Sequence, residues 1–256
     1  FSDIPTENPE EKERFVGLAY TTWHRQSIWN RYWDIPELGK YTSNNRNVIK
    51  KHGEWLAYAG VDFVFIDWSN DIDYIYGETQ NRPDFDMIEK SVPLIFEEWE
   101  NIENAPKIAI MLGCPKKPEA FTDGRMQRKV NQVYDMFIAS EEYKDQYYTY
   151  LGKPLIMVYV GTPSPFRQGL PQWPEDDRFT FRYLTGFISE QMNLRTTDRI
   201  SKYGYWSWED RGWQTYTKYK GEPECCTVTA ASRPQRKDEP DHPNYIPAEG
   251  RKNGEK

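Results

Sequence analysis

The order of elements in this chain predicts an α/β fold of the (β/α)8-barrel type (TIM-type), without a recognisable last strand. Apolar runs of strand length alternate with segments of helical period, the pattern of a parallel sheet covered on both faces. Polar and aromatic residues gather just after each run, where a barrel opens its mouth. A doubly wound sheet is the competing architecture. No G-x-G-x-x-G fingerprint follows the first strand, so a dinucleotide site is not expected.

The first strand is Phe15-Val16-Gly17-Leu18-Ala19-Tyr20, short, apolar and expected to be mostly buried. It runs into the polar and aromatic cluster Thr21-Thr22-Trp23-His24-Arg25. Asn44 or Asn45 caps a helix with Val48, His52, Trp55, Leu56 and Ala59 at helical spacing, and Gly60 stops it. Val61 to Ile66 is the second strand, delivering Asp67-Trp68-Ser69-Asn70 to its carboxyl end. A helix from Pro83-Asp84 carries Phe85, Ile88, Val92, Ile95, Phe96 and Trp99, with a kink expected at Pro93. Lys107 to Leu112 is the third strand. Asp123 is the expected cap of a third helix that continues through a Tyr-rich stretch to Gly152. Pro154 to Val160 and Phe179 to Leu184 are strands four and five, joined by a loop rich in Gly and Pro. Strand six lies in Tyr203-Gly204-Tyr205-Trp206-Ser207-Trp208-Glu209-Asp210-Arg211-Gly212-Trp213, and strand seven is Cys225 to Ala231. No eighth strand is recognisable. The domain organisation is thus a linker at 1–14, a barrel-like domain at 15–234 and an extended or mobile segment at 235–256.

Composition narrows the function. The chain has 256 residues, enough for a sizeable core, and 16% of them are aromatic, including ten Trp and 18 Tyr. Tyr and Trp suit surfaces that are half apolar and half wet. The net charge of −7 and the lack of a basic block argue against a nucleic-acid partner. No apolar run approaches the roughly 20 residues of a membrane span. Three cysteines are too few for a disulfide scaffold, and Cys114, Cys225 and Cys226 are expected as free thiols without the further ligands of a metal site. The chain begins at Phe1, and its opening residues are polar and proline-bearing like the linker after a secretion signal. An exported protein with its leader removed is expected: secreted, periplasmic or at the cell surface.

Acids beside indoles at strand ends point to a saccharide. The C–H faces of a pyranose lie on aromatic rings, while its hydroxyls and anomeric centre need carboxyl groups. If the strand ends converge, then His24, Asp67, Trp68, Glu209, Asp210 and Arg233 meet at one mouth. Glu209 and Asp210 are consecutive, so in extended backbone they face opposite ways and do not form the working pair. Glu209 is the candidate proton donor or 2-hydroxyl contact, and Asp67 the candidate base or hydroxyl acceptor. Trp23, His24, Trp68, Tyr205, Trp206, Trp208 and Arg233 are the candidate substrate contacts. Plainer roles stand beside these. Asp67 can cap the next turn or pair with Arg25, His24 can be structural, and Trp68 and Trp208 can be core. Arg233 suits a substrate carboxylate or a rim brace equally. Asp71, Asp73 and Glu78 lack EF-hand spacing and read as a solvated acidic loop rather than a calcium site. No cofactor and no metal are expected.

The segments Val16 to His24, Gly60 to Trp68, Lys153 to Ile156 and Tyr203 to Asp210, in that order, resemble bacterial secreted proteins related to glycoside hydrolase families 71 and 99. The resemblance covers about Phe15 to Pro234 and implies a (β/α) barrel acting on α-linked glucans or mannans. Those families usually carry a last strand ending in a Trp-Asn-Glu-Trp-like motif followed by a further acid, and nothing after Ala231 matches it. Their catalytic pair therefore has no counterpart to transfer, and Glu209 and Asp67 rest on their own chemistry. The expected function is a glycoside hydrolase using carboxylate acid–base chemistry. A glycan-binding protein without turnover, or an inactive fragment on the same scaffold, is the alternative.

Overall fold

The structure is a computed structural model, and the residues it describes are 14–25, 29, 35–74, 83–114, 116–160, 173–185, 205–207, 216–220 and 222–226. The elements follow the expected alternation. β1 (Gly17–Tyr20) leads to α1 (Arg46–Tyr58), β2 (Phe63–Trp68), α2 (Pro83–Trp99), β3 (Lys107–Gly113) and α3 (Arg125–Val133). Then come β4 (Thr149–Tyr150), β5 (Lys153–Tyr159), β6 (Thr180–Thr185), β7 (Tyr205–Ser207), β8 (Tyr216–Tyr219) and β9 (Glu222–Cys226).

Local chemistry sets the helix ends. The Asn45 side chain accepts from the N–H groups of Asn47 and Val48, and Gly60 leaves α1 with φ of +72°. α2 runs unbroken through Pro93. The third helix departs from expectation at both ends. Gly124, with φ of +88°, is its N-cap, while Asp123 stands one residue earlier and accepts from the Arg125 N–H at 3.1 Å. The helix then widens into a π-helical turn, Tyr134–Ile138, and does not reach Gly152. The Ala139 N–H closes that turn on the Tyr134 carbonyl, spending a backbone bond on the wider ring. The segment expected to stay helical instead forms β4, joined to β5 through Leu151 and Gly152, both at positive φ.

β1, β2, β3, β5, β6 and β7 form one sheet in that order with every neighbouring pair parallel, and β4 adds to β5 antiparallel. This is an α/β sheet of the TIM type in its order and direction. Among the described residues, no pairing closes β7 onto β1. β1 was expected to be buried, but Phe15, Val16 and Leu18 are exposed, because β1 is an edge paired only to β2 among the described residues. Cys225 and Cys226 do not begin a seventh parallel strand. They end β9, which pairs antiparallel with β8 in a separate hairpin.

The pleat sorts side chains to two faces. On the helix side, Val64, Ile66, Trp68, Ile108, Ile110, Leu112, Ile156 and Val158 join the buried residues of α2 and α3 in the main core. Each such side chain removed from water contributes roughly 1.5–3 kcal/mol. α1 meets α2 closely at Gly53, where an added Cβ would fall 2.5 Å from the Trp99 ring. On the inner side, Phe63, Met111, Leu155, Met157, Leu184 and Trp206 form a second cluster with Tyr148.

The sharpest steric limit lies at the carboxyl end of the sheet. A Cβ on Gly113 would come within 2.3 Å of the Ser69 carbonyl oxygen, in the turn that follows β2. Gly113→Ala is therefore expected to lower unfolding free energy by about 1–3 kcal/mol in urea denaturation, as overpacking against backbone does. An unchanged midpoint would show that the Ser69 turn yields freely.

Candidate functional site

Strand alternation separates two residues that stand side by side in sequence. Phe63, Phe65 and Asp67 project to the inner face of β2, whereas Val64, Ile66 and Trp68 project to the helices. Asp67 is 4% exposed at the carboxyl end of the strand. Its Oδ1 accepts the Ser69 N–H at 2.8 Å, the geometry of a side chain capping its own turn. Burial pushes the Asp67 carboxyl upward, against the opposing pull of its bonds from Ser69. The turn role and a chemical role are compatible, because a carboxylate has more acceptor sites than one N–H fills.

Trp68 is 1% exposed and packs against Phe137, with the Lys129 ammonium 5.2 Å from its ring. It lies in the main core, so the expected substrate contact is here a packing residue. Trp23 is different. It lies just beyond β1, the neighbour of β2, and is 40% exposed at the same end of the sheet. Between β1 and Trp23, Thr22 is buried, its hydroxyl donating to the Ile88 carbonyl of α2 at 3.1 Å. This fixes the chain on which Trp23 is carried.

His24 is half-buried in an aromatic group. Its ring stacks on Trp29 at 5.1 Å and meets Tyr41 at 5.2 Å, and its backbone exchanges hydrogen bonds with Ser43. Burial lowers its pKa, which favours the neutral ring. His52 extends the group, with Nδ1 2.8 Å from the Tyr20 hydroxyl. These contacts give His24 a structural occupation whatever else it does.

On the inner face, Asp67, Met111, Met157 and Arg182 stand in register across β2, β3, β5 and β6. Arg182 was not among the expected site residues. It is buried at 3% and paired with Glu224 of β9, through Nε to Oε2 at 2.9 Å and Nη2 to Oε1 at 2.5 Å. Trp206 donates its indole N–H to Glu224 at 2.7 Å, and the Tyr150 hydroxyl donates to it at 2.8 Å. Tyr219 lies 4.2 Å from the guanidinium. Trp206 thus belongs to a filled polar knot beneath the hairpin. A charge inside the apolar run Phe179-Thr180-Phe181-Arg182-Tyr183-Leu184 was the available signal for this knot.

Trp208, Glu209, Asp210, Arg233 and the side chain of Tyr205 lie outside the described residues. Of the acidic loop considered for calcium, Asp73 pairs with Lys117 and Arg125, Asp71 is buried, and Glu78 lies outside the described residues. Among the described residues no group of three or more His, Cys, Asp or Glu side chains is placed to hold a metal ion. Cys114, Cys225 and Cys226 are free thiols, and no helix among the described residues is long and apolar enough to cross a membrane.

No protein-family model matches the chain, and no curated protein sequence does. Among solved structures, a glycoside hydrolase family 99 endo-α-mannosidase from Bacteroides thetaiotaomicron matches with a TM-score of 0.51 at 16% identity, over 78% of this chain and 63% of that one. A second endo-α-mannosidase structure of that family and organism, in complex with Bis-Tris propane, gives a TM-score of 0.45 at 19% identity, over 70% of this chain and 55% of that one. A glycoside hydrolase-like protein gives 0.44 at 16%, over 72% of this chain and 54% of that one. The chain therefore spans 54% to 63% of the length of these neighbours. The first likeness is one of fold: this chain has an α/β, TIM-type fold like that of the family 99 enzyme.

The raised carboxyl of Asp67 has a testable sign. From its ordinary value of 3.8 up to its raised value, the folded protein keeps a proton that the unfolded chain has released. Stability is lost as pH rises through that window. Asp67→Asn should make the plot of unfolding free energy against pH shallower there, measured by urea titration at stepped pH. Superimposable slopes would mean that Asp67 ionises as it does in the unfolded chain.

Proposed function

We propose that this chain is a glycoside hydrolase-like protein acting on a poly- or oligosaccharide through carboxylate chemistry at the carboxyl end of its sheet. The observation that carries the reading is Asp67. It is a buried acid on the inner face of β2, at the strand end where folds of this type hold their chemistry. The fold likeness to an endo-α-mannosidase gives α-linked mannan as the first substrate class to try.

In this reading Asp67 serves as the base or hydroxyl acceptor, and Glu209 as the proton donor. Burial suits Asp67 to the task, because a carboxyl raised from its ordinary range exchanges a proton closer to neutral pH. The exposed indole of Trp23 supplies an apolar face for a sugar ring. Asp210 remains a further candidate catalytic acid, Trp208 and Arg233 remain candidate contacts, and export to a compartment where polysaccharide is met belongs to the same proposal.

A second reading is a glycan-binding protein without turnover. The turn bond from the Ser69 N–H that already occupies Asp67 favours it. Release of reducing ends from α-mannan, α-glucan and related polysaccharides separates the two. Turnover is expected, with Asp67→Asn and Glu209→Gln each reducing it about 10²- to 10⁴-fold while affinity electrophoresis still shows binding. Retardation without reducing ends would give the binding reading the field. Undiminished turnover in Asp67→Asn would remove that residue from the chemistry.

A further inference from the structure

Behind Asp67, on the helix side of β2, is a charged cluster that the proposed chemistry does not use. Asp71 in the turn after β2, Glu89 of α2 and Lys129 of α3 all bury their side chains, none more than 1% exposed. Lys129 Nζ donates to Glu89 Oε1 and, at 3.0 Å, to Gln132 Oε1. Gln132 Nε2 donates in turn to Glu89 Oε2 at 2.5 Å. Glu89 therefore has a donor on each oxygen.

Asp71 has none. Lys129 Nζ stands 3.7 Å from its Oδ2, too far for a hydrogen bond, and both oxygens are buried without a hydrogen-bond partner. Among the described residues no second cation faces Asp71. The rings of Trp68 and Tyr74 lie 5.2 and 5.6 Å from Nζ, and Asp73 is turned to Lys117 and Arg125 at the surface. Two carboxyls thus share one ammonium. With both ionised the cluster would carry a buried net negative charge, which is costly, whereas a protonated Asp71 gains an O–H donor beside an acceptor. Burial first, and then the Glu89 carboxylate, push the Asp71 carboxyl well above its ordinary range.

We propose that Asp71 is the bolt of a proton-dependent latch: protonated, it seals the turn at 69–74 against α2 and α3, and release of the proton frees that turn. Other ties hold the turn to the same elements: Ile72 and Tyr74 are buried, the Tyr74 hydroxyl donates to Asp86 of α2, and Asp73 pairs with Arg125 of α3, so the latch adds a pH-dependent share to a turn that is already packed. The Asp71 N–H reaches the Trp68 carbonyl at 3.4 Å, and the Tyr74 N–H reaches the Asp71 carbonyl at 2.8 Å. Opening it would also withdraw the Ser69 N–H from Asp67. The latch therefore acts on the acid assigned to the chemistry, and this last consequence rests on the function proposed above.

The sign follows from linkage. Above the ordinary aspartate value of 3.8 the open turn has lost its proton while the closed turn keeps it. Between that value and the raised one, each pH unit multiplies the opening equilibrium by up to about tenfold. Hydrogen exchange read by mass spectrometry on the whole chain, corrected for intrinsic rate, tests this in peptides covering 68–74 from about pH 5 to 8. Wild type should show opening that climbs with pH, and Asp71→Asn should lose most of that climb, keeping only the share that Asp67 carries. A flat wild-type profile, or the same climb in Asp71→Asn, would overturn the latch. Should Asp71→Asn not fold, the ¹³C carboxyl titration of Asp71 in wild type decides: an ordinary midpoint sinks the proposal and a raised one upholds it. None of these readouts needs a substrate, so the latch and the saccharide chemistry can fail separately.

Discussion

Everything placed at the carboxyl end of the sheet hangs on the register of β2 between its two parallel neighbours. Phe63 opposes Gly17 on one side and Lys107 on the other, and the pairing runs on through Tyr20–Ile66 and Trp68–Leu112. A slip of one residue would exchange the faces. Asp67 would then enter the apolar layer beneath α2 and α3, and the Trp68 indole would leave it. The apolar row Val64, Ile66 and Trp68 forbids that exchange, because all three are fully removed from water in the present register. The hydrophobic face of the strand is thus what holds a carboxyl on the opposite face.

Two buried ion pairs then fasten other elements to this sheet. Lys129 with Glu89 ties α3 to α2 on the helix side, and Arg182 with Glu224 ties the β8–β9 hairpin to β6 on the inner side. Such pairs add little net stability over apolar residues of equal size, but breaking one leaves an uncompensated charge inside the protein. Their effect is to penalise other arrangements of the same pieces. The β8–β9 hairpin shows the effect. Placed with Glu224 against Arg182, the Trp206 N–H and the Tyr150 hydroxyl, it has one position in which its acid is satisfied.

Much of the architecture was legible in the sequence, for physical reasons. β2, β3 and β5 are buried on both faces and so read as continuous apolar runs, and α1 announces itself by Asn45 and Gly60. What escaped notice depended on partners distant in sequence. Nothing local distinguishes β1, an edge in the described sheet, from a buried strand, since its exposure depends on which neighbours it has. The Tyr-rich segment after α3 has helical composition, yet Leu151 and Gly152 turn it back as β4. At the carboxyl end of the sheet, the acid-and-indole pattern singled out Asp67 and Trp68 together but could not assign them faces until the strand was extended by two residues. Glu89 and Lys129 look like ordinary surface charges until the fold encloses them.

The proposed function places a saccharide against the inner face at the carboxyl ends of the strands, over Asp67. A crystal structure with a bound α-linked manno-oligosaccharide tests it most directly. The account predicts a sugar hydroxyl or glycosidic oxygen within about 3.2 Å of the Asp67 carboxyl, with a pyranose face on the Trp23 indole. A saccharide seated on the helix side, or anywhere out of reach of Asp67, would contradict it.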